Sequence, residues 1–307
     1  MAGCERPFGL RGPLGPWRAL DSWTAGYVLL ATSVLAVGAV RGLAGCRAQA
    51  AIGLGVLAGI LALARWSRQS VGVLPIMLRL SYPPLLFGLL YHQVQTLWPV
   101  LHRAPLDGLL AALELRLWGC QPALAFQAAL PQRWLGELFC FAYLAYYLFV
   151  PTVLLTALVT RGYAAAERIT LATSACFFSC YTLFWLLPTV GPQFWLPPAL
   201  GPGPYPGYGC SRLLQFITAH AEIRGGACPS SHIAVALLLT LWARRATPAL
   251  FPALALVTAL MLPAVVYLRA HYLVDVPAGL AAGLLAYGAS TGNPLVRFLI
   301  IKPSKGV

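Results

Sequence analysis

Apolar runs of roughly twenty residues, separated by short polar breaks, recur along almost the whole chain. They cover residues 23–41, 48–64, 73–98, 136–160, 168–188, 248–268 and 271–290. As helices, such runs are long enough to cross a hydrocarbon core of about 30 Å. An eighth, 232–243, is short and continues only weakly. Arg6, Arg11 and Arg18 precede the first run in the manner of a signal peptide. That run is long and no convincing small-residue cleavage site precedes Arg41, so it reads as an uncleaved helix.

Two stretches break the pattern. In Leu106-Asp107-Gly108 through Trp118-Gly119, apolar residues recur at three and four with charges on the other face. This predicts an amphipathic helix lying in the interface. Residues 188–210 carry seven prolines and five glycines, which rules out a continuous helix and predicts a stiff cover over one end of the bundle. The chain shows no internal repeat.

Composition agrees with the pattern. Hydrophobic residues make up 59% of the 307 positions and charged residues only 9%, against about 25% charged in a soluble domain. Mean hydropathy is +0.75. The net charge of +13 does not mark a nucleic-acid surface, because the basic residues fall singly or in pairs between apolar runs. With the N-terminus inside, twelve Lys and Arg fall on inner segments and eight on outer ones, Arg79 being unassigned. The positive-inside rule then places both termini inside, and the loop 189–231 and the start of 271–290 on the outer face.

Against this background two polar segments stand out. Cys228-Pro-Ser-Ser-His232 is followed by Tyr267-Leu-Arg-Ala-His271-Tyr-Leu-Val-Asp275, which holds one of only eight acidic residues. Ionisable groups at membrane depth are costly and are functional candidates by default. Spacing of four would put His271 and Asp275 on one helix face, as a nucleophile or base with its orienting carboxylate. Ser230 and Ser231 also fit ordinary helix N-capping, and a metal site of His232, His271 and Asp275 fits imidazole and carboxylate preferences. The eight cysteines lack metal-ligand spacing. Cys176 and Cys180 read as packing residues, and a disulfide between Cys210 and Cys228 is left open. His92 and His102 read as interfacial and His220 as solvated. Tyr143, Tyr146, Tyr147 and Trp134 read as interface anchors and packing residues ahead of lipid contacts.

The two motifs resemble those of the type-2 phosphatidic acid phosphatase superfamily. Its Pro-Ser-x-His is met by Pro229-Ser230-Ser231-His232, and its Arg with His-x-x-x-Asp by Arg269, His271 and Asp275. The Tyr-Leu-Arg-x-His-Tyr-x-x-Asp form is similar to the branch containing inositol phosphorylceramide synthases. So are Asp107, Trp118-Gly-Cys-Gln-Pro122, Glu137 and Tyr143-Leu-Ala-Tyr146. The family's first motif, a Lys and an Arg-Pro, is absent. Pro188-Thr-Val-Gly191-Pro192-Gln193 stands where the branch usually has Gly-Pro-Arg, and Ala264 and Val265 stand where a Ser-Arg is usual. Gln193 brings hydrogen bonds without charge, which Arg224 would supply.

The resemblance implies an all-α, polytopic membrane protein with a six-helix core over 73–290. Two extra transmembrane helices (1–72) precede it and a short cytoplasmic tail (291–307) follows. It implies a lipid phosphotransferase or phosphatase without cofactor or metal, active on the extracytoplasmic or lumenal side. His271 would attack phosphorus, Asp275 orient it, and His232 serve as acid and base. Arg269, Arg224, Ser230, Ser231 and Gln193 would bind phosphate, with Asp107 and Glu137 in support. The substrate would be a phospholipid or lipid phosphate, and the acceptor a lipid alcohol or water. Transfer of an inositol phosphate-like head group is the first reading, and hydrolysis of a lipid phosphate or polyprenyl diphosphate the second. A non-catalytic lipid or anion transporter is the alternative from another class.

Overall fold

The computed structural model describes residues 17–69, 72–196, 205–221 and 223–292. Arg6, Arg11, the prolines at 197, 198, 202 and 204, and the tail 293–307 lie outside these. The described residues form helices and their connections, without strands. The membrane-length elements are α1 (Ala19–Val40), α2 (Cys46–Gln69) and α3 (Val73–Leu101). Two small helices follow, α4 (Asp107–Trp118) and α5 (Pro122–Ala129). Next come α6 (Arg133–Ala145), joined through one 3₁₀ turn to α7 (Phe149–Arg161), and α8 (Tyr163–Leu186). The chain continues through α9 (Pro192–Trp195) and α10 (Gly209–Ala221) to α11 (Ser231–Ala246), α12 (Phe251–Tyr267) and α13 (Asp275–Thr291). Among the described residues six segments are long and apolar enough to span a membrane, so this is an integral, multi-pass membrane protein. α11 and α13, with 16 and 17 residues, are about 24–26 Å long, short of a full hydrocarbon core.

Leucines and valines left exposed on the long helices, such as Leu30, Leu54, Leu85, Val159 and Leu256, belong against lipid rather than water. Inside, close approach is set by small residues. Gly279 and Gly283, one turn apart on α13, leave no space for a side chain. A Cβ on them would lie 2.6 Å from the Ser230 carbonyl oxygen and 2.5 Å from that of Ala234. This is the Gly-x-x-x-Gly solution to packing where apolar transfer offers no drive. It brings the start of α13 against the start of α11, and the Ser230 N–H donates to the Asp275 carbonyl at 3.3 Å. α1 is integral to the bundle. Tyr27 stacks on Phe178 of α8 with centroids 4.7 Å apart, and Asp21 forms a buried ion pair with Arg79 of α3. That pair is shared with Tyr82 and Ser67, so both of its buried charges have further partners.

At the opposite end three connections meet: 102–132, the described parts of 187–230, and 268–274. The Leu106 N–H donates to the Pro188 carbonyl at 2.7 Å, and that of Gln193 to the Arg269 carbonyl at 3.2 Å. The Ala227 and Cys228 N–H groups reach the carbonyl and hydroxyl of Thr189. Both motifs therefore lie on one face of the bundle.

Candidate active site

The helical reading of His271 and Asp275 is corrected by the structure. α13 begins at Asp275, and His271 lies before it, in the turn after α12. The chain reverses there because Arg269 adopts a left-handed φ of 57°, a conformation that costs a non-glycine residue about 1–3 kcal/mol. His271 Nδ1 donates not to Asp275 but to the Ala227 carbonyl, at 2.6 Å. A carbonyl can only accept, so Nδ1 carries the hydrogen and Nε2 keeps its lone pair. Asp275 Oδ2 stands 3.7 Å from that Nδ1 and accepts the Tyr272 N–H at 2.9 Å.

His271 Nε2 faces His232 Nδ1 at 3.4 Å. His232 sits one residue into α11, whose N-cap Ser230 accepts the Ile233 N–H. Its ring packs between Tyr143 and Tyr146, with centroids at 4.6 and 4.9 Å. Those two tyrosines are buried and Tyr147 is half exposed, so packing around a histidine, more than interface anchoring, is their structural role. His271, Arg269 and Asp275 are buried, whereas His232 is half buried and opens onto a cavity of about 650 Å³ between α3, α6–α7 and α8. Burial pushes the Arg269 guanidinium below its usual range.

The supporting carboxylates come from α4, and here the amphipathic reading is inverted. Asp107 and Glu114, seven apart on one face, are fully buried, while Leu109, Leu115 and Leu117 are exposed. Asp107 accepts the N–H groups of Val190 and Gly191 at 2.7 and 2.8 Å, and the Tyr272 hydroxyl at 2.9 Å. It therefore ties the 188–193 loop to the 269–274 turn. Glu114 accepts the N–H groups of Leu273 and Val274 through Oε1, its other oxygen being unpaired. Burial raises both carboxyl pKa values, against the lowering effect of these hydrogen bonds. Glu114 was not singled out from the sequence, though its heptad spacing from Asp107 was the available signal.

Glu137 supports a different element. It accepts the N–H groups of Tyr208, Cys210 and Ser211 and so holds the start of α10. Gln193 opens α9, one hydrogen bond from the Arg269 backbone, and Ser231 is buried beside His232 at the cavity wall. Arg224 is exposed, its guanidinium 5.7 Å over the Phe194 ring, so its side chain is not packed against the two histidines. Cys210 and Cys228 are free thiols. Burial, with Asp275 alongside, pushes the Cys228 thiol pKa up. His92 and His220 are solvent- or interface-exposed and bonded only to near neighbours. Among the described residues no group of three or more His, Cys, Asp or Glu side chains converges as a metal-ligand set.

The family model described as the PAP2 superfamily matches residues 109–289, more than half of the chain, from within α4 to within the last turn of α13. The chain belongs to the PAP2 superfamily. PAP2 membership implies phosphatase or phosphotransferase activity on lipid phosphates within a membrane. The matched region contains both histidines, Arg269, Asp275 and Glu114. Asp107 and the three N-terminal helices precede it. No curated protein and no solved structure matches the chain.

Proposed function

We propose that this PAP2 protein transfers a phosphorylated head group from a phospholipid to a lipid alcohol through a phosphohistidine on His271, with 73–290 as the catalytic core. The reading rests most heavily on the His271 Nε2 lone pair, fixed by the Ala227 carbonyl and aimed at His232 at the mouth of an apolar cavity. Phosphorus enters between the two rings. His232, half exposed to the cavity, is the ring able to move aside, since His271 is held. In the first step Nε2 attacks, an N–P bond forms and the bond to the leaving lipid oxygen breaks as protonated His232 gives that oxygen its proton. In the second step an incoming hydroxyl attacks phosphorus, the N–P bond breaks and His232 takes the hydroxyl proton. Asp275, 3.7 Å from Nδ1, stabilises the cationic ring of the intermediate. Arg269, Ser230, Ser231 and Gln193 bind the non-bridging oxygens, with Arg224 as a charge at the loop surface. Asp107 and Glu137 hold the loops that carry these groups.

Both half-reactions use the same lipid-side position beside His232, so a single cavity serves leaving and incoming alcohols in turn. Water in that position gives hydrolysis, the second reading. Purified protein given a head-group-labelled phospholipid panel, with and without ceramide or another lipid alcohol, distinguishes them. A labelled lipid product that requires the alcohol is expected. Release of free phosphate or phosphorylated head group, unaffected by the alcohol, would assign hydrolysis instead, and flux without turnover would assign a transporter.

The balance of basic residues favours an extracytoplasmic or lumenal site. Cys120, exposed between α4 and α5 on the site's face of the bundle, reports on this. In a Cys210→Ser, Cys228→Ser background an impermeant maleimide is expected to label the protein, and not its Cys120→Ser variant, in sealed, right-side-out membranes. Labelling of Cys120 only after permeabilisation would invert the topology.

A further inference from the structure

We infer that the apolar groove measures hydrocarbon-chain length: one chain of the substrate lipid runs down it from His232, and Met77, Leu80 and Leu158 at its far end limit the chain that fits. The inference rests on the proposed lipid-phosphate reaction and adds which part of the lipid the protein reads.

The groove is polar only near its head, where Ser231, His232 and Thr218 line it, apart from Ser81 and the tyrosine hydroxyls. Along α3 its wall runs from Tyr91 to Met77, and along α6–α7 from Tyr143 to Leu158. At 1.5 Å per residue each wall is about 21–23 Å long. The cavity, about 650 Å³, is thus drawn out along the helices, a shape that takes an extended hydrocarbon chain. The depth exceeds one leaflet, about half of a 30 Å hydrocarbon core. The far end is closed, because Leu80 and Leu158 form a separate buried cluster with Ile76, Tyr163 and Ala166, against which Met77 packs. Leu85 and Leu155 are exposed at the lips, which opens the groove sideways to the bilayer between α3 and α7.

Lipid tails are as apolar as the groove, so each methylene gains little by moving from bilayer to protein. The groove therefore selects by exclusion, through the collision of an over-long chain with its floor. Gly88 gives a direct probe. It lines the groove a turn below Tyr91, and a Cβ there meets nothing within 4 Å. A larger side chain at this position fills the groove without straining α3 and improves helix propensity.

The test uses the purified full-length chain in detergent micelles with a graded series of single-chain alkyl phosphates. In Gly88→Phe the cut-off is expected at a shorter chain, with the ratio of long- to short-chain turnover reduced about tenfold or more. Met77→Ala is expected to move the cut-off to longer chains, and Gly26→Phe, on α1 away from the groove, to keep the wild-type profile. Unchanged profiles in both Gly88→Phe and Met77→Ala would overturn the inference. Competition by the same series against a fluorescent alkyl phosphate, with His271→Ala as background, reads the groove without chemistry. A ladder in that background insensitive to Gly88→Phe also overturns the inference, while wild-type turnover by His271→Ala overturns only the catalytic reading.

Discussion

His271→Ala is expected to lower head-group transfer by about 10⁴-fold or more, the scale on which loss of a nucleophile removes a two-step route. The residue is buried and its ring is held by the Ala227 carbonyl. His232→Ala should cost less, about 10²–10⁴-fold, because the lipid oxygen can leave without full protonation. A substrate with a good leaving group, such as an aryl phosphate ester, should narrow the His232→Ala deficit and leave that of His271→Ala unchanged. Initial rates and thermal stability measured together separate lost chemistry from lost folding. Equal rescue of both variants by the aryl ester would contradict the assigned roles.

The second large effect concerns the carboxylates of α4, where two similar substitutions should behave differently. Both oxygens of Asp107 are acceptors, for two N–H groups and a hydroxyl. An amide in their place turns an NH₂ towards at least one donor. A buried donor left without an acceptor costs about 1–3 kcal/mol, and here the displaced backbone carries Gly191 at φ 94°, where a Cβ would already lie 3.2 Å from the Ala270 carbonyl oxygen. Asp107→Asn should therefore cost about 30–100-fold in kcat/KM, nearly as much as Asp107→Ala. Glu114 accepts through one oxygen only. Glu114→Gln retains that acceptor and should stay within a few-fold of wild type, whereas Glu114→Ala should not. Steady-state kinetics on the four variants decide it. If Asp107→Asn matches wild type, the clasp between the two loops is not needed for activity.

These residues also show where the sequence was legible. Spans, helical class and the histidine motifs follow from apolar run lengths and from residue types too costly to place in a membrane by chance. The local geometry did not follow. Spacing of four suggests a helix across His271 and Asp275, but the positive φ of Arg269 lies in no sequence pattern and moves the helix start to Asp275. The Ala227 carbonyl that orients His271 belongs to a loop 44 residues away, and a backbone acceptor leaves no mark in the sequence. For α4 the amphipathic pattern was visible and its sense was not. In water the apolar face turns inward, but beside lipid the leucines can face outward and Asp107 and Glu114 turn towards the protein. The tyrosine stripe likewise gave its spacing, while His232 as its partner emerged only from packing.

Capture of the covalent intermediate tests the proposed chemistry most directly. Purified protein mixed with a phospholipid labelled in its phosphate, without acceptor and with EDTA throughout, is quenched in alkali within a turnover and digested for mass spectrometry. The label is expected on the peptide carrying His271, stable in base and lost in acid, discharged by added lipid alcohol, and absent from His271→Ala. Label on another residue, or full turnover by His271→Ala, would contradict the phosphohistidine route.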